Sequence, residues 1–529
     1  MHSHNLGILI AASIIAVFLA AGCHSSSTEP AYPNILLILA DDLGYGDVGV
    51  YNAESRVPTP NLDQLAADGM LFTDAHSPST VCTPTRYSIM TGRMAFRTGM
   101  RSVFVGVGGP SLIKSERLTV AEMLQEKGYA TSLIGKWHIG MTFFAEDGTP
   151  VYEMDVPSDT PEQRRQAGVA RVNLVDFTKP IPDGPLHHGF DEFFGTVACP
   201  TTDWLYAWIE GDRVPNPPTT LLDRTHLPKH PYSFDNRQGM IAPDFDLEEV
   251  DMLFLEKSIA FLENHVEESP GQPFFLFHSA QAVHLPSFPG NDFKGKTDAG
   301  PHGDFIFQLD HIVGELLSTL DRLELSDNTL VIFTSDNGPE VSTVYHMRTD
   351  YDHDGARPWR GVKRDQWEGG HRVPMIARWP AVITRGSRSD QVLNLSDFMA
   401  TFAAITGYDL PADAAEDSYN FLPVFSGEDD APVHDYTLHQ TISLDLAIRH
   451  GSWKYLDHQG SGGNNYERDY LQGYVLPEKA PDAPGQLYNL ADDPGETTNL
   501  YFEYPEIAAS LKEKLDELVA RGYSVERGK

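Results

Sequence analysis

A chain of 529 residues exceeds one ordinary domain and implies two to four, or one large α/β body with an appendage. Hydrophobic residues at 41% and charged residues at 22% supply a core and exclude a disordered chain. With 39 Lys and Arg against 75 Asp and Glu, the formal charge of -36 excludes nucleic acid as a partner, because phosphate binding needs a basic footprint.

The first element is an apolar run, Gly7 to Gly22, too short for a comfortable membrane span and placed where a signal-peptide core belongs. No Lys or Arg precedes it. The run ends Leu19-Ala-Ala-Gly-Cys23 and a polar stretch follows, so it resembles a bacterial lipoprotein signal with Cys23 as the acylated first mature residue. Export to the periplasm or cell surface is expected, with any membrane attachment by lipid alone. Three cysteines, Cys23, Cys82 and Cys199, exclude a disulfide framework.

Four apolar runs read as buried parallel strands, and each ends in polar residues. Asn34 to Ala40 meets Asp41-Asp42. Tyr129 to Ile134 leads to Gly135-Lys136-Trp137-His138. Pro273 to Phe277 is followed by His284, and Thr329 to Thr334 by Ser335-Asp336-Asn337. Helical patterns at Leu62–Gly69, Leu118–Gly128 and Phe305–Leu323 alternate with them, which implies a large sheet covered on both faces with ligands at the carboxyl ends of the strands. Three carboxylates and an amide oxygen on one rim suit a hard divalent cation, calcium before zinc.

Between the first two strands lies Cys82-Thr-Pro84-Thr-Arg86. Pro84 suits a first helical turn, so Cys82 sits at a helix N-terminus where free N–H groups favour negative charge, and Arg86 lies about one turn on. The segment resembles the C-x-P-[S/T]-R signature of type I sulfatases, alkaline phosphatase-like enzymes whose cysteine is oxidised to formylglycine by a maturation enzyme. The order of Asp41-Asp42-Leu-Gly-Tyr-Gly-Asp47, Thr91-Gly-Arg93, Gly135-Lys-Trp-His-Ile-Gly140, Asp336-Asn-Gly338 and Glu368-Gly-Gly-His-Arg-Val-Pro374 is similar too.

The resemblance implies metal ligation by Asp41, Asp42, Asp336, Asn337 and the modified Cys82, with one calcium ion. It implies that Arg86 and Lys136 stabilise the formylglycine, that His138 acts on its second hydroxyl, and that His284 and Lys363 hold sulfate and assist the leaving oxygen. The setting Val283-His284-Leu285-Pro286 departs from the family's Pro-His-x-Pro, and His278 and His302 compete for the role.

Phe143 to Leu186 lacks clear periodicity and reads as surface loops. Trp204, Tyr206 and Trp208 alternate, as in a sugar-stacking cleft or a half-buried strand. Tyr345 to Trp359 is polar and precedes Lys363, so His346, Arg348, His353 and Arg357, with Trp204, are the candidates for substrate recognition. Cys199 reads as a packed free thiol. Short strands at Tyr436–His439, Leu444–Arg449 and Trp453–Leu456, then a helix with Ile507, Leu511, Leu515 and Leu518 on one stripe, form a smaller α+β unit.

The expected organisation is therefore a signal at 1–22, a tether at 23–32, an α/β catalytic domain at 33–425 with a large, mostly parallel or mixed sheet between helices, and a C-terminal α+β subdomain at 434–529. The expected function is hydrolysis of sulfate monoesters on a sulfated saccharide. The alternatives are a phosphomonoester or phosphonate hydrolase of the same superfamily, and a sulfoglycan-binding surface protein whose Cys82 is never matured.

Overall fold

In the computed structural model the residues described are Met1, 32–428 and 431–526. Apart from Met1 and Tyr32, the expected signal segment, Cys23 and the tether lie outside them. Among the described residues no helix is long and apolar enough to cross a membrane.

Nine strands form the main sheet: β1 (Asn34–Ala40), β2 (Met70–Phe72), β3 (Ala130–Lys136), β4 (Glu192–Thr196), β5 (Ile209–Glu210), β6 (Phe274–Ser279), β7 (Thr329–Ser335), β8 (Met375–Arg378) and β9 (Ser387–Ser389). Their order across the sheet is β9-β2-β8-β7-β1-β6-β3-β4-β5. The central five, β7, β1, β6, β3 and β4, run parallel. Antiparallel strands β8 and β5 join at the two sides, so the sheet is mixed. Every residue of β1, β6 and β7 is buried, as a strand covered on both faces requires.

The covering helices form two groups. One contains α1 (Pro60–Asp68), α5 (Val250–Glu268) and α6 (Gly300–Arg322); the other contains α2 (Cys82–Thr91), α3 (Val120–Glu126) and α8 (Phe398–Thr406). Two further helices are α4 (Pro161–Val172) and α7 (Val341–Tyr351). Helix α4 corrects the expectation of loops between Phe143 and Leu186. It has little apolar periodicity, but Thr160 accepts from the Gln163 N–H while the Gln163 side chain accepts from the Thr160 N–H, and Pro161 opens the first turn.

The C-terminal part is an antiparallel sheet in sequential order, β10 (Thr437–Gln440), β11 (Leu446–His450), β12 (Trp453–Leu456) and β13 (Gln486–Asn489). Helix α9 (Pro505–Arg521) packs on it. Leu511, Leu515 and Leu518 of the expected stripe are buried there against Leu438, Ile448 and Leu487, and Met94 from the larger part joins the same core. The fourth strand, Gln486–Asn489, adds to the three strands expected from the sequence.

Candidate active site

Parallel pairing gathers the polar strand ends. Ala40 lies opposite Ser335, and the Asp336 N–H donates to the Ala40 carbonyl at 3.1 Å, so Asp41-Asp42 and Asp336-Asn337 leave the sheet side by side. Leu39 lies opposite Ser279, and Ser279 opposite Gly135, which brings the loop after β6 and the end of β3 to the same rim. Gly135 has φ +124°, and a Cβ there would stand 1.8 Å from the Ser279 carbonyl oxygen. Only glycine lets β3 approach β6 closely enough to deliver Lys136.

Two site residues hold the left-handed backbone conformation that side chains other than glycine rarely adopt, Asp42 at φ +61° and His138 at +62°. Such conformations persist where surrounding structure fixes them, and they are concentrated at functional sites. Here the fixing groups are visible. The Asp42 N–H donates to Asp336 Oδ1 at 3.3 Å, and Thr83 Oγ1 donates to the His138 carbonyl at 2.9 Å.

Cys82 is the first residue of α2, and Pro84 lies in its first turn as expected. One turn on, Arg86 is fully enclosed. Its Nε donates to Asp336 Oδ2 at 3.0 Å, its Nη1 to Ser279 Oγ at 2.6 Å and to the Lys136 carbonyl at 3.0 Å, and its Nη2 reaches Asp41 at 3.4 Å. Lys136 Nζ bonds the same Asp41 oxygen. Lys363 Nζ holds both Asp42 oxygens at 2.6 and 2.8 Å, and Asn337 Nδ2 donates to Asp42 Oδ1 at 2.7 Å. Three carboxylates are thus buried against three cations.

Two acceptors remain unused: Asp41 Oδ1 and Asn337 Oδ1 are buried without a hydrogen-bond partner. Orphaned buried oxygens are costly and call for an ion or water. Ligand atoms of Asp41, Asp336 and Cys82 lie within 4.8 Å of one another, as do those of Asp41, Asp42 and His284. The donor set is mainly hard oxygen and fits a hard divalent cation. Burial, and then the Asp41 charge, push the Asp336 carboxyl well above its usual range, which is the strain that a dication relieves.

The side chains facing outward from this cluster line a cavity of about 490 Å³, among them Cys82, His138, Cys199, His284 and Lys363. A hydrogen bond with Cys199 does most to hold the Cys82 thiol well below its ordinary value; burial opposes it, and Lys136, Lys363 and His138 add to it. Burial pushes Cys199 the other way. Cys199 is therefore more than the packed thiol expected, since it lies 3.6 Å from His284 Nε2 and 4.0 Å from His138 Nδ1. Each histidine has one nitrogen against a carbonyl, His138 Nε2 at 2.7 Å from Phe104 O and His284 Nδ1 at 2.5 Å from Leu285 O. A carbonyl only accepts, so those nitrogens carry the protons and His138 Nδ1 and His284 Nε2 present lone pairs.

Neither competitor for His284 reaches the rim. His278 lies inside β6 with Nδ1 2.8 Å from Ser258 Oγ, and His302 Nδ1 is 2.7 Å from Ser287 Oγ.

The expected recognition residues do not line this cavity, which corrects that part of the sequence reading. His353 is buried between Asp47 at 2.7 Å and the Arg56 N–H at 3.1 Å. Arg348 pairs with Asp354 and lies over the Tyr474 ring; Arg357 pairs with Glu54; His346 on α7 stands 4.0 Å from Asp350. Tyr206 and Trp208 pack with Phe245 and are core, not a stacking cleft. Trp204 sits behind the cavity wall, with the Arg237 guanidinium 5.6 Å from its ring. The polar lining comes instead from Asp235, Arg237, Arg364, Asn464 and Arg468, on loops without periodic signal.

Against known proteins, the sulfatase family model matches residues 33–408. The chain belongs to the sulfatase family. It is 33% identical over 504 residues to an N-acetylgalactosamine-6-O-sulfatase of Bacteroides thetaiotaomicron, covering 92% of this chain and 93% of that one. It is 31% identical over 529 residues to human arylsulfatase A, covering 94% and 91%. A solved structure of a protein from the study of glycosaminoglycan metabolism by B. thetaiotaomicron superposes with a TM-score of 0.76 at 30% identity, over 93% of this chain and all of the other. The sulfatase is thus a sulfuric ester hydrolase with the family's fold, the large mixed sheet and the small antiparallel one.

One positioning residue has no signal in the sequence. Asp251 on α5 is buried, and its Oδ1 accepts from the Gln281 and Ala282 N–H groups at 2.8 and 3.3 Å, which fixes the loop that carries His284. Burial raises its carboxyl to about 7, so its contribution to stability is complete below the unfolded value near 4 and is lost as pH rises toward 7. Asp251→Asn keeps the acceptor and removes the titration. Urea unfolding at pH 4.5 and pH 8 should show the variant gaining on wild type at the higher pH; a difference independent of pH would contradict this assignment.

Proposed function

We propose that the sulfatase hydrolyses sulfate monoesters of carbohydrates, with Cys82 matured to formylglycine. The observation that carries this is the single cavity where Cys82, His138, His284 and Lys363 meet directly above the buried Asp41, Asp42, Asp336 and Asn337. The relative named N-acetylgalactosamine-6-O-sulfatase, matched along nearly its whole length, makes a 6-sulfated N-acetylhexosamine the first substrate to try.

Asp41, Asp42, Asp336 and Asn337 would hold a divalent cation, calcium by its preference for oxygen donors; bound there, it supplies positive charge to sulfate oxygens. The hydrated formylglycine supplies one hydroxyl to attack sulfur and a second whose deprotonation restores the aldehyde and releases sulfate.

The chain's own residues do the rest. Lys136 and Arg86 fix the carboxylates and keep the Cys82 side chain in a positive field. His138 turns a bare Nδ1 toward Cys82 and is the base for the second hydroxyl; burial, then Lys136, hold its pKa below the usual imidazole range, so it is unprotonated at neutral pH. Lys363, kept charged by Asp42 against the pull of burial, binds a sulfate oxygen. His284 turns Nε2 into the cavity; in its doubly protonated form, with Nδ1 still donating to the Leu285 carbonyl, it is the acid that gives the Nε2 proton to the departing sugar oxygen. Asp235, Arg237, Asn464 and Arg468 at the mouth offer charged and amide groups to sugar hydroxyls, carboxylates or acetamido oxygens. We also propose that segment 1–22 directs export and that Cys23 carries the lipid; an intact-mass measurement of the mature amino terminus that finds an unmodified Met1 would contradict it.

Cys82→Ala should abolish turnover of a panel of sulfated mono- and oligosaccharides while leaving thermal stability nearly unchanged. Active wild-type enzyme should show a formylglycine-bearing peptide at position 82. An active enzyme with only free thiol there, or equal rates on matched phosphate esters, would contradict the proposal; the second result would favour the phosphohydrolase.

A further inference from the structure

A second cluster of ligating side chains lies outside the active site. His76, His371 and His439 have no exposed surface, and their ring nitrogens lie within 4.8 Å of one another. They come from three separate parts of the fold: the two-residue strand Ala75–His76, the short helix Glu368–His371 and β10 of the C-terminal sheet.

The hydrogen bonds around them leave a gap at the centre. His76 Nε2 is 2.6 Å from Asp74 Oδ1, and His371 Nε2 is 3.1 Å from the Gln366 carbonyl, so each Nε2 has an oxygen acceptor for its proton. The two Nδ1 atoms, deprived of protons by that choice, then face each other at 3.0 Å. Two lone pairs cannot be left in opposition at that distance: either one Nδ1 carries a proton for the other, with the Lys454 ammonium donating to His371 Nε2, or an electron-poor centre lies against both. His439 stacks on His371 at 4.0 Å and stands 5.0 Å from His76; among the described residues neither of its ring nitrogens makes a well-formed hydrogen bond, though the backbone of Ser77 approaches. An imidazole held by an acceptor on one nitrogen with the other turned inward is the arrangement of metal-bound histidine.

The surrounding charges are paired. Lys454 Nζ approaches His371 Nε2 at 3.0 Å but is paired with Glu368 and Glu496 at 2.9 Å each. Arg449 approaches His76 Nε2 at 3.3 Å and is paired with both Asp74 oxygens at 2.8 Å, and Arg372 with Glu368 at 3.0 Å. Three acids face three bases, with burial raising the Glu496 carboxyl to about 7.

We propose that His76, His371 and His439 bind a first-row divalent metal ion of the zinc class, distinct from the cation of the active site. Imidazole nitrogen selects zinc over calcium, and nitrogens around one ion stand roughly 3.4 Å apart, so the His76 and His371 Nδ1 atoms, now 3.0 Å apart, would separate slightly on binding. The ion would clasp the C-terminal sheet to the segment that leads into Cys82. That segment already pairs with β10: the Thr80 N–H donates to the Gln440 carbonyl at 3.0 Å, and the Gln440 N–H to the Pro78 carbonyl at 3.1 Å.

The test uses untagged, chelator-stripped full chain saturated with calcium, so that the carboxylate site is filled. Desalted after exposure to zinc chloride, it should retain about one zinc per chain. Cobalt chloride should give visible absorption bands of nitrogen-rich, low-symmetry cobalt, and zinc should raise the thermal midpoint. His439→Gln and, independently, His76→Gln should lose the bands and the zinc-dependent shift while keeping the far-UV circular dichroism of the wild type. Retention of well under one zinc by wild type would overturn the proposal in favour of a proton shared between His76 and His371. Undiminished binding by a folded variant would overturn it too. Should one variant fail to fold, the cobalt spectrum of wild type and the other variant decide.

Discussion

The structure depends on the repulsion among three carboxylates, Asp41, Asp42 and Asp336, packed together out of contact with water. Burying one carboxylate is expensive, and burying three side by side is possible only if positive charge is buried with them. Arg86, Lys136 and Lys363 supply it from three different elements. Two oxygens in the cluster still lack partners, and that unfilled demand is what the proposed dication would meet. The Cys199 hydrogen bond does most to lower the Cys82 thiol, Lys136 and Lys363 add to it, and the field of these cations is directed at any anion entering the cavity.

Parallel pairing is what makes this charge cluster buildable. The adjacent strands β7, β1, β6 and β3 end at one edge, so residues hundreds of positions apart arrive within hydrogen-bond reach without long excursions of chain. The local backbone turns left-handed at Asp42 and His138, where a side chain must turn back toward the centre. Both of those turns are held by neighbours, Asp336 for one and Thr83 for the other.

Much of this was legible in the chain. Strands β1, β6 and β7 are nearly continuous apolar runs because both their faces are covered, and these strands, with β3, lead into the residues that form the site. Helix α2 announced itself through Pro84. Strands β2, β5 and β9 are two or three residues long, and β9 reads Ser-Arg-Ser, so no hydrophobic pattern could mark them. The expected recognition residues lie outside the cavity lining for a different reason. Polarity in Tyr345–Trp359 reflects pairs internal to the protein, such as Arg348 with Asp354 and His353 with Asp47, and a sequence does not say whether a polar side chain is already partnered. The real lining, at 235–237 and 464–468, lies on loops whose approach to Cys82 is a property of the folded chain alone. Asp251 and the histidine cluster were hidden likewise, each an isolated residue until the fold assembles its partners.

The claim that the carboxylates exist to hold a cation is tested most directly by titrating chelator-stripped protein with calcium in a calorimeter. The account predicts one calcium site per chain in wild type and its disappearance in Asp336→Ala and in Asp41→Ala. Binding of the same strength and heat in those variants, or none in wild type, would contradict it.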